Sequence, residues 1–389
     1  MIKQKLQNFM SRRRCTLLGV GPMSLNCVDA AIELANDFEV PLMLIASRRQ
    51  IDSAEFGGGY VNNWTTASFA DYVIDQDKKG KIILARDHGG PWQNEKETRE
   101  TMSLRRAMES AKSSYRADID AGFQILHIDP SVDIHSKPNI DEILDRIYEL
   151  YEYCWTYAQR AGKEIIFEIG TEEQSGSTNT LEELEYSLNH IQRFCKKENL
   201  PSPTFVVIQT GTRVKETRNV GSFDSPIRVA GEVAVEIQLP KVIEICNQQN
   251  VFMKEHNTDY LSDESLQWHP RFGIHAANVA PEFGVAETRA LLDVLESNRL
   301  NTLVDNFSRV VIDSQKWQKW LLPNSVASER EIVQIAGHYN FAHPEVIDIK
   351  NAASTILGKK GIDLDSYLKS CVKESIMRYI KNFRMVRIP

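Results

Sequence analysis

Long apolar runs are missing from this chain, and so is any excess of positive charge. No stretch approaches the roughly 20 consecutive apolar residues needed to span a bilayer, so a membrane protein is not expected. Net charge is -7, from 46 Lys and Arg against 53 Asp and Glu, which leaves no basic footprint for nucleic acid. A phosphorylated substrate stays compatible, because phosphate sites are built locally from amides and a few cations. Cysteine is sparse: Cys15, Cys27, Cys154, Cys195, Cys246 and Cys371 are scattered and form no C-x-x-C pair. That argues against zinc ribbons and thioredoxin-like chemistry and fits a reducing cytoplasm. No apolar stretch follows Arg12-Arg13-Arg14, so a secretory signal is not expected. Internal repeats and low-complexity tracts are also lacking.

What is present is an alternation. Eight short, nearly continuous apolar runs read as buried parallel strands: Cys15–Val20, Pro41–Ala46, Lys81–Ala85, Phe123–Ile128, Glu164–Ile169, Thr204–Ile208, Asn250–Lys254 and Phe272–Ala276. Amphipathic helical patterns lie between them, at Ser24–Phe38, Thr66–Lys79, Glu97–Ala121, Ile140–Ala161, Thr180–Glu198 and Val233–Gln248. A short helix at Thr258–Trp268 and one at Glu287–Ser297 complete the series. Ser24 and Thr180 are placed as helix caps. Eight strand–helix units in succession predict an α/β fold, a (β/α)8 TIM barrel over residues 1–300. Beyond it the strand pattern fades into helical segments at Asn301–Ile312, Glu329–Ala336, Pro344–Leu357 and Leu364–Phe383. Residues 301–389 therefore read as a helical C-terminal extension, suited to support or to assembly into a homo-oligomer.

In such a barrel the C-terminal strand tips converge on one mouth, where chemistry sits. Ile83-Leu84-Ala85-Arg86-Asp87-His88-Gly89-Gly90-Pro91 ends an apolar strand on a carboxylate, an imidazole and a tight turn. Alone, Asp87 reads as a loop cap and His88 as a satisfied buried histidine. The other tips change that reading, because His88, His127, His256 and His275 each fall at a strand end beside Asp, Glu or Asn. Imidazoles and carboxylates on separate strands suit a divalent metal, Zn2+ first, with one position open for substrate. A buried hydrogen-bonded polar network is the alternative.

The phase of the strands leaves open which residue of each pair, His127 or Asp129 and Glu168 or Glu172, faces the metal. The expected ligands are His88, His256 and His275. Glu172 is available as a fourth ligand or as a catalytic carboxylate. Asp87 and Asp129 are the acid/base candidates. Arg48 and Arg49 follow the second strand and one of them is expected to fork onto a phosphate or carboxylate, an outer salt bridge being the alternative. Gln50, His127, Gln209, Thr210, Asp259 and Asn278 complete the expected substrate contacts.

In order along the chain, these motifs resemble the family of non-catalytic subunits of class II tagatose-bisphosphate aldolases, which also holds metal-dependent tagaturonate and ketose epimerases. The resemblance rests on Gln50 to Tyr60 with its Phe-Gly-Gly turn and on Asp87-His88-Gly89-Gly90-Pro91. It continues through Gly122 to Ser131, Ile169-Gly170-Thr171-Glu172 and His256-Asn257-Thr258-Asp259-Tyr260. The resemblance implies a TIM barrel acting on a ketose or ketose phosphate. Retro-aldol chemistry would make it an aldolase or a C4 epimerase, with Asp87 or Asp129 moving the proton. It equally implies a non-catalytic role stabilising a separate aldolase subunit. Arg48 and Arg49 stand where the family has small or amide residues, which implies a more anionic substrate. The segment around His275 matches only loosely.

Overall fold

The computed structural model describes residues 1–171, 180–223 and 234–387. Eight parallel strands close into a barrel: β1 (Leu17–Val20), β2 (Leu42–Ser47), β3 (Ile82–Gly89), β4 (Ile125–Ile128), β5 (Ile166–Ile169) and β6 (Phe205–Val207) come first in the chain. A two-stranded antiparallel hairpin, β7 (Val214–Lys215) and β8 (Arg218–Asn219), interrupts the series. Then β9 (Phe252–Glu255) and β10 (Ala276–Val279) complete the barrel, with β9 beside β6 and β10 beside β1. This is the TIM barrel expected from the alternation of strand and helix patterns.

The strands form because their side chains are buried on both sides: β1, β2, β4 and β10 are almost wholly inaccessible. Local signals set many helix starts. Ser24 caps Leu25–Phe38 by accepting from the Cys27 N–H, and Thr180 caps Leu181–Lys197 through Glu183. The eighth strand lies later than the apolar run at Phe272–Ala276 suggested. Helix Asp263–Phe272 carries through Phe272 and ends on Gly273, whose φ of +87 makes it a helix stop. The strand therefore begins at Ala276, and His275 precedes it.

An N-terminal helix, Ile2–Arg13, covers the opposite end of the barrel and buries Ile2, Leu6 and Met10. Its Ile2 N–H donates to Glu164, just before β5. At the other end of the chain, helices Asn301–Asp313, Glu329–Ala336, Pro344–Gly358 and Leu364–Asn382 pack into the same apolar core as the barrel helices. The last of them lies against Leu25–Phe38 and Pro281–Ser297. No described helix is long and apolar enough to cross a membrane.

Two buried arginines brace the β2 and β3 ends. Arg86 forks onto Asp118, at 2.7 Å and 2.5 Å, and donates to the carbonyls of Ala46 and Ile51. Arg48 donates to Asp52 at 3.0 Å, Glu97 at 2.6 Å, the Gly90 carbonyl at 3.1 Å and Ser110 Oγ at 3.2 Å. At Gly90, with φ +150, a Cβ would meet the Asp129 carbonyl oxygen at 2.2 Å, so the turn after β3 admits no larger residue.

Candidate active site

The mouth of the barrel gathers ionisable side chains from β3, β4, β5 and β9. Strand β3 shifts register against β4 between Arg86 and Gly89, and His88 takes a left-handed φ of +44. Strict alternation would send Asp87 and His88 to opposite faces. The irregularity lets both reach the mouth. Asp87 Oδ1 accepts from Asn278 Nδ2 at 3.2 Å. His88 Nδ1 lies 2.7 Å from Asp129 Oδ2, and its Nε2 lies 3.3 Å from His256 Nδ1.

From β4, His127 accepts the His88 backbone N–H at 3.1 Å and sits 3.6 Å from Glu168. From β5, Glu168 Oε1 lies 3.1 Å from His256 Nε2. Its second oxygen accepts from Lys254 Nζ of β9 at 2.6 Å. Asp129, just past β4, is held by Ser131 Oγ at 2.5 Å.

Burial raises the cost of charge here, and the neighbours decide which groups carry it. Burial would raise Asp87, but the His88 and His256 charges hold it well below the usual carboxylate range. Burial would likewise raise Glu168, but Lys254 and the histidines hold it down at about 2. Asp129 is lowered against burial by His88. Burial would lower His88, but Asp87 and Asp129 raise it to about 9. His256 is lowered by burial.

The donor set fits a divalent cation. His88, His127 and His256 place ligand atoms within 4.8 Å of one another, and so do Asp87, His127, Glu168 and His256. Several of these atoms face each other without a consistent hydrogen-bond assignment. His256 Nε2 meets a carboxylate oxygen at 3.1 Å and an amide nitrogen at 3.0 Å, while His127 Nε2 and Asn278 Oδ1 are buried without a partner. Those two orphans face Gly170 and Gly19; it is the conflicting demand on His256 Nε2, amid converging imidazoles and carboxylates, that a metal ion satisfies.

The structure thus brings together Asp87, His88, His127, Asp129, His256 and Asn278. It does not bring His275 there. That residue precedes β10 at the N-terminal end of the barrel, where Nδ1 accepts the Met253 N–H at 3.1 Å and the ring packs on Phe252. Burial lowers it to about 4. Nor does Arg48 offer a free guanidinium; with an exposure of 1% and its guanidinium bound by Asp52, Glu97, Gly90 and Ser110, it is a brace. Arg49 is the solvent-exposed one of the two.

Gln50 closes its own loop, accepting from the Ser47 N–H at 2.8 Å and donating to Met23 Sδ. Gln209 is buried just past β6. Thr210 Oγ1 donates to Glu255, which His269 also holds at 2.6 Å. Asp259 caps helix Pro281–Ser297 by accepting from the Ala280 and Glu282 N–H groups, and burial beside Glu282 raises it to about 7. Glu172 lies outside the described residues. The carboxylates around His256 are Glu168 at 3.1 Å and Asp87 at 3.7 Å.

Sequence reasoning missed Lys254 as Glu168's partner. The available signal was one acid and one lysine in two otherwise apolar strands, Ile166-Phe167-Glu168-Ile169 and Phe252-Met253-Lys254. Charges buried that way are paired.

Fold and mouth together define a TIM barrel with an ionisable, metal-compatible cluster at its C-terminal end. The chain belongs to the D-tagatose-1,6-bisphosphate aldolase subunit GatZ/KbaZ-like family, whose model matches residues 3–326. A probable tagatose 6 phosphate kinase from Sinorhizobium meliloti 1021 shares the fold, with a TM-score of 0.73 and 17% identity over 94% of this chain and 100% of that one. The fructuronate-tagaturonate epimerase UxaE from Cohnella laeviribosi is similar at a TM-score of 0.56 and 10% identity, over 95% of this chain and 81% of its own. The YdjI aldolase from Escherichia coli K12 is similar at a TM-score of 0.52 and 11% identity, over 98% and 96%. No curated protein matches the chain in sequence.

Proposed function

We propose that the chain is a metal-dependent enzyme that opens a ketose or ketose phosphate by retro-aldol cleavage. The products are either released, as in an aldolase, or rejoined with the opposite configuration, as in an epimerase. The carrying observation is the convergence of Asp87, His88, His127, Glu168 and His256 at the mouth. His88 and His256, with His127 and Glu168, are placed to hold the ion, and Zn2+ suits this mix of imidazole and carboxylate. Bound there, a divalent cation supplies Lewis-acid polarisation of the substrate carbonyl.

The chain's own residues do the rest. Asp87 is ionised and more open to solvent than Glu168 or Asp129. It takes the proton of the β-hydroxyl. The carbon–carbon bond then breaks to an aldehyde and an enolate; that proton returns to the enolate carbon when the fragments are released, or to the new hydroxyl oxygen on re-addition. Asp129 orients His88 through the 2.7 Å contact. Asn278 bridges Asp87 and His256.

The family's own description as an aldolase subunit favours a second reading, a partner that stabilises a separate catalytic chain. Against a pure scaffold stands the cost of burying so many charges without a ligand, several kcal/mol unless they are paired or bind metal. Incubating the purified chain with ketoses, ketose phosphates and ketohexuronates, followed by NMR, decides between them. Turnover that His256→Ala abolishes supports the enzyme. No turnover, with rescue of a partner aldolase's stability, supports the scaffold.

A further inference from the structure

A cavity of about 430 Å³ opens between the loops that follow β2 and β3 and the segment Gln315–Lys319. Asn94 lines its wall, and the preceding residue, Gln93, approaches Asp129 at 3.5 Å. Arg49, Lys96, Arg99, Lys316 and Lys319 line it, with Glu95 as the acid among them. Among the described residues, no carboxylate lies within ion-pair distance of any of these five cations. Lys316 Nζ donates to the Tyr339 carbonyl at 2.9 Å, and Lys319 Nζ lies over the Trp320 and Tyr339 rings at 5.1 and 5.5 Å. Elsewhere in the molecule comparable arginines and lysines have acidic partners, as Arg48, Arg330 and Lys369 do.

Five cations around a single carboxylate repel one another, and an anion relieves that repulsion. Desolvation, with Arg49 alongside, lowers Lys319 to about 8, against the pull of Glu95. The glycine loop is not the anion's cradle. The N–H groups of Gly57, Gly58 and Gly59 are already spent on Ala54, Ser53 and Trp64. Recognition must come from the side chains.

We propose that this cavity binds the phosphoryl group of the substrate, with Arg49 and Lys319 as its principal contacts. The proposal rests on the retro-aldol reading for its substrate and adds to it the end of the sugar that is gripped. Several cations against one acid suit a dianion better than a carboxylate, for which one guanidinium fork suffices. It also gives a segment beyond the barrel, Gln315–Lys319, a part in substrate recognition.

The test is calorimetric titration of inorganic phosphate, and separately of acetate, into the full chain and into Arg49→Gln/Lys319→Gln. Both side chains reach solvent at the cavity wall, so the variant is expected to fold, and a matching thermal melt checks this. The expected result is phosphate binding weakened about tenfold or more in the variant, weaker acetate binding throughout, and unchanged bound metal. Equal phosphate binding in both proteins, or none in the parent, overturns the proposal. Acetate binding tighter than phosphate assigns the cavity to a carboxylate and overturns the phosphoryl assignment. Failure here with metal and turnover intact leaves the retro-aldol reading standing. Phosphate binding without metal or turnover removes that reading and leaves an anion site.

Discussion

Lys254 Nζ donates to Glu168 Oε2 at 2.6 Å, with both side chains 1% exposed, and the other oxygen of Glu168 stands 3.1 Å from His256. The lysine therefore sets which way the carboxylate presents itself to the histidines. Removing one partner of a buried pair leaves an uncompensated charge. Lys254→Met is expected to lower stability by about 3 kcal/mol in urea denaturation. The pH dependence changes too. Glu168 is held at about 2 when folded, against about 4.3 unfolded. Its contribution is present above the unfolded value and lost as pH falls through the folded one. That acid-side slope should flatten in Lys254→Met; an unchanged slope would show the pair to be energetically silent.

His275 should behave as a structural residue. Burial lowers it to about 4 in the fold, against about 6.5 unfolded. Between those values the unfolded chain binds more protons, so this residue makes stability rise with pH across that window. His275→Phe keeps the packing on Phe252 and removes the titration. Melts from pH 4 to 7 should show a shallower rise than the parent, with turnover retained. Loss of turnover in a well-folded variant would return His275 to the site.

Arg48 and Arg49 are neighbours with opposite roles. Arg48→Met strands Asp52 and Glu97 in the interior and should cost about 3 kcal/mol or more. Arg49→Met, at an exposed position, should stay within about 0.5 kcal/mol. Paired thermal melts read both. Similar losses at the two positions would contradict the assignment of Arg48 as the brace.

Asp87 carries the proton in the proposed reaction. Asp87→Asn should cut kcat by about 10²–10⁴ while the melting temperature stays close to the parent's. A variant that retains full kcat would exclude Asp87 as the base.

Much of this was legible in the sequence. The barrel followed from the strand–helix alternation, and six of the expected mouth residues do meet: Asp87, His88, His127, Asp129, His256 and Asn278. The misplacements have physical causes. Phe272 reads equally as the first residue of a strand or the last of a helix. The left-handed Gly273 settles it as helix and moves β10 later, leaving His275 at the wrong end. Arg48 and Arg49 differ by one step of alternation, and sequence does not set the phase. Lys254 and Glu168 belong to strands far apart in the chain, so their pairing needs the closed barrel, where only β6 separates them.

The central claim is that the histidine cluster holds a metal ion. Elemental analysis of the chain, purified with divalent metals present throughout, tests it most directly against His256→Ala and His275→Phe. The account predicts about one divalent ion per chain, lost in His256→Ala and kept in His275→Phe. A folded parent without stoichiometric metal, or a His256→Ala variant that binds as much as the parent, would contradict it.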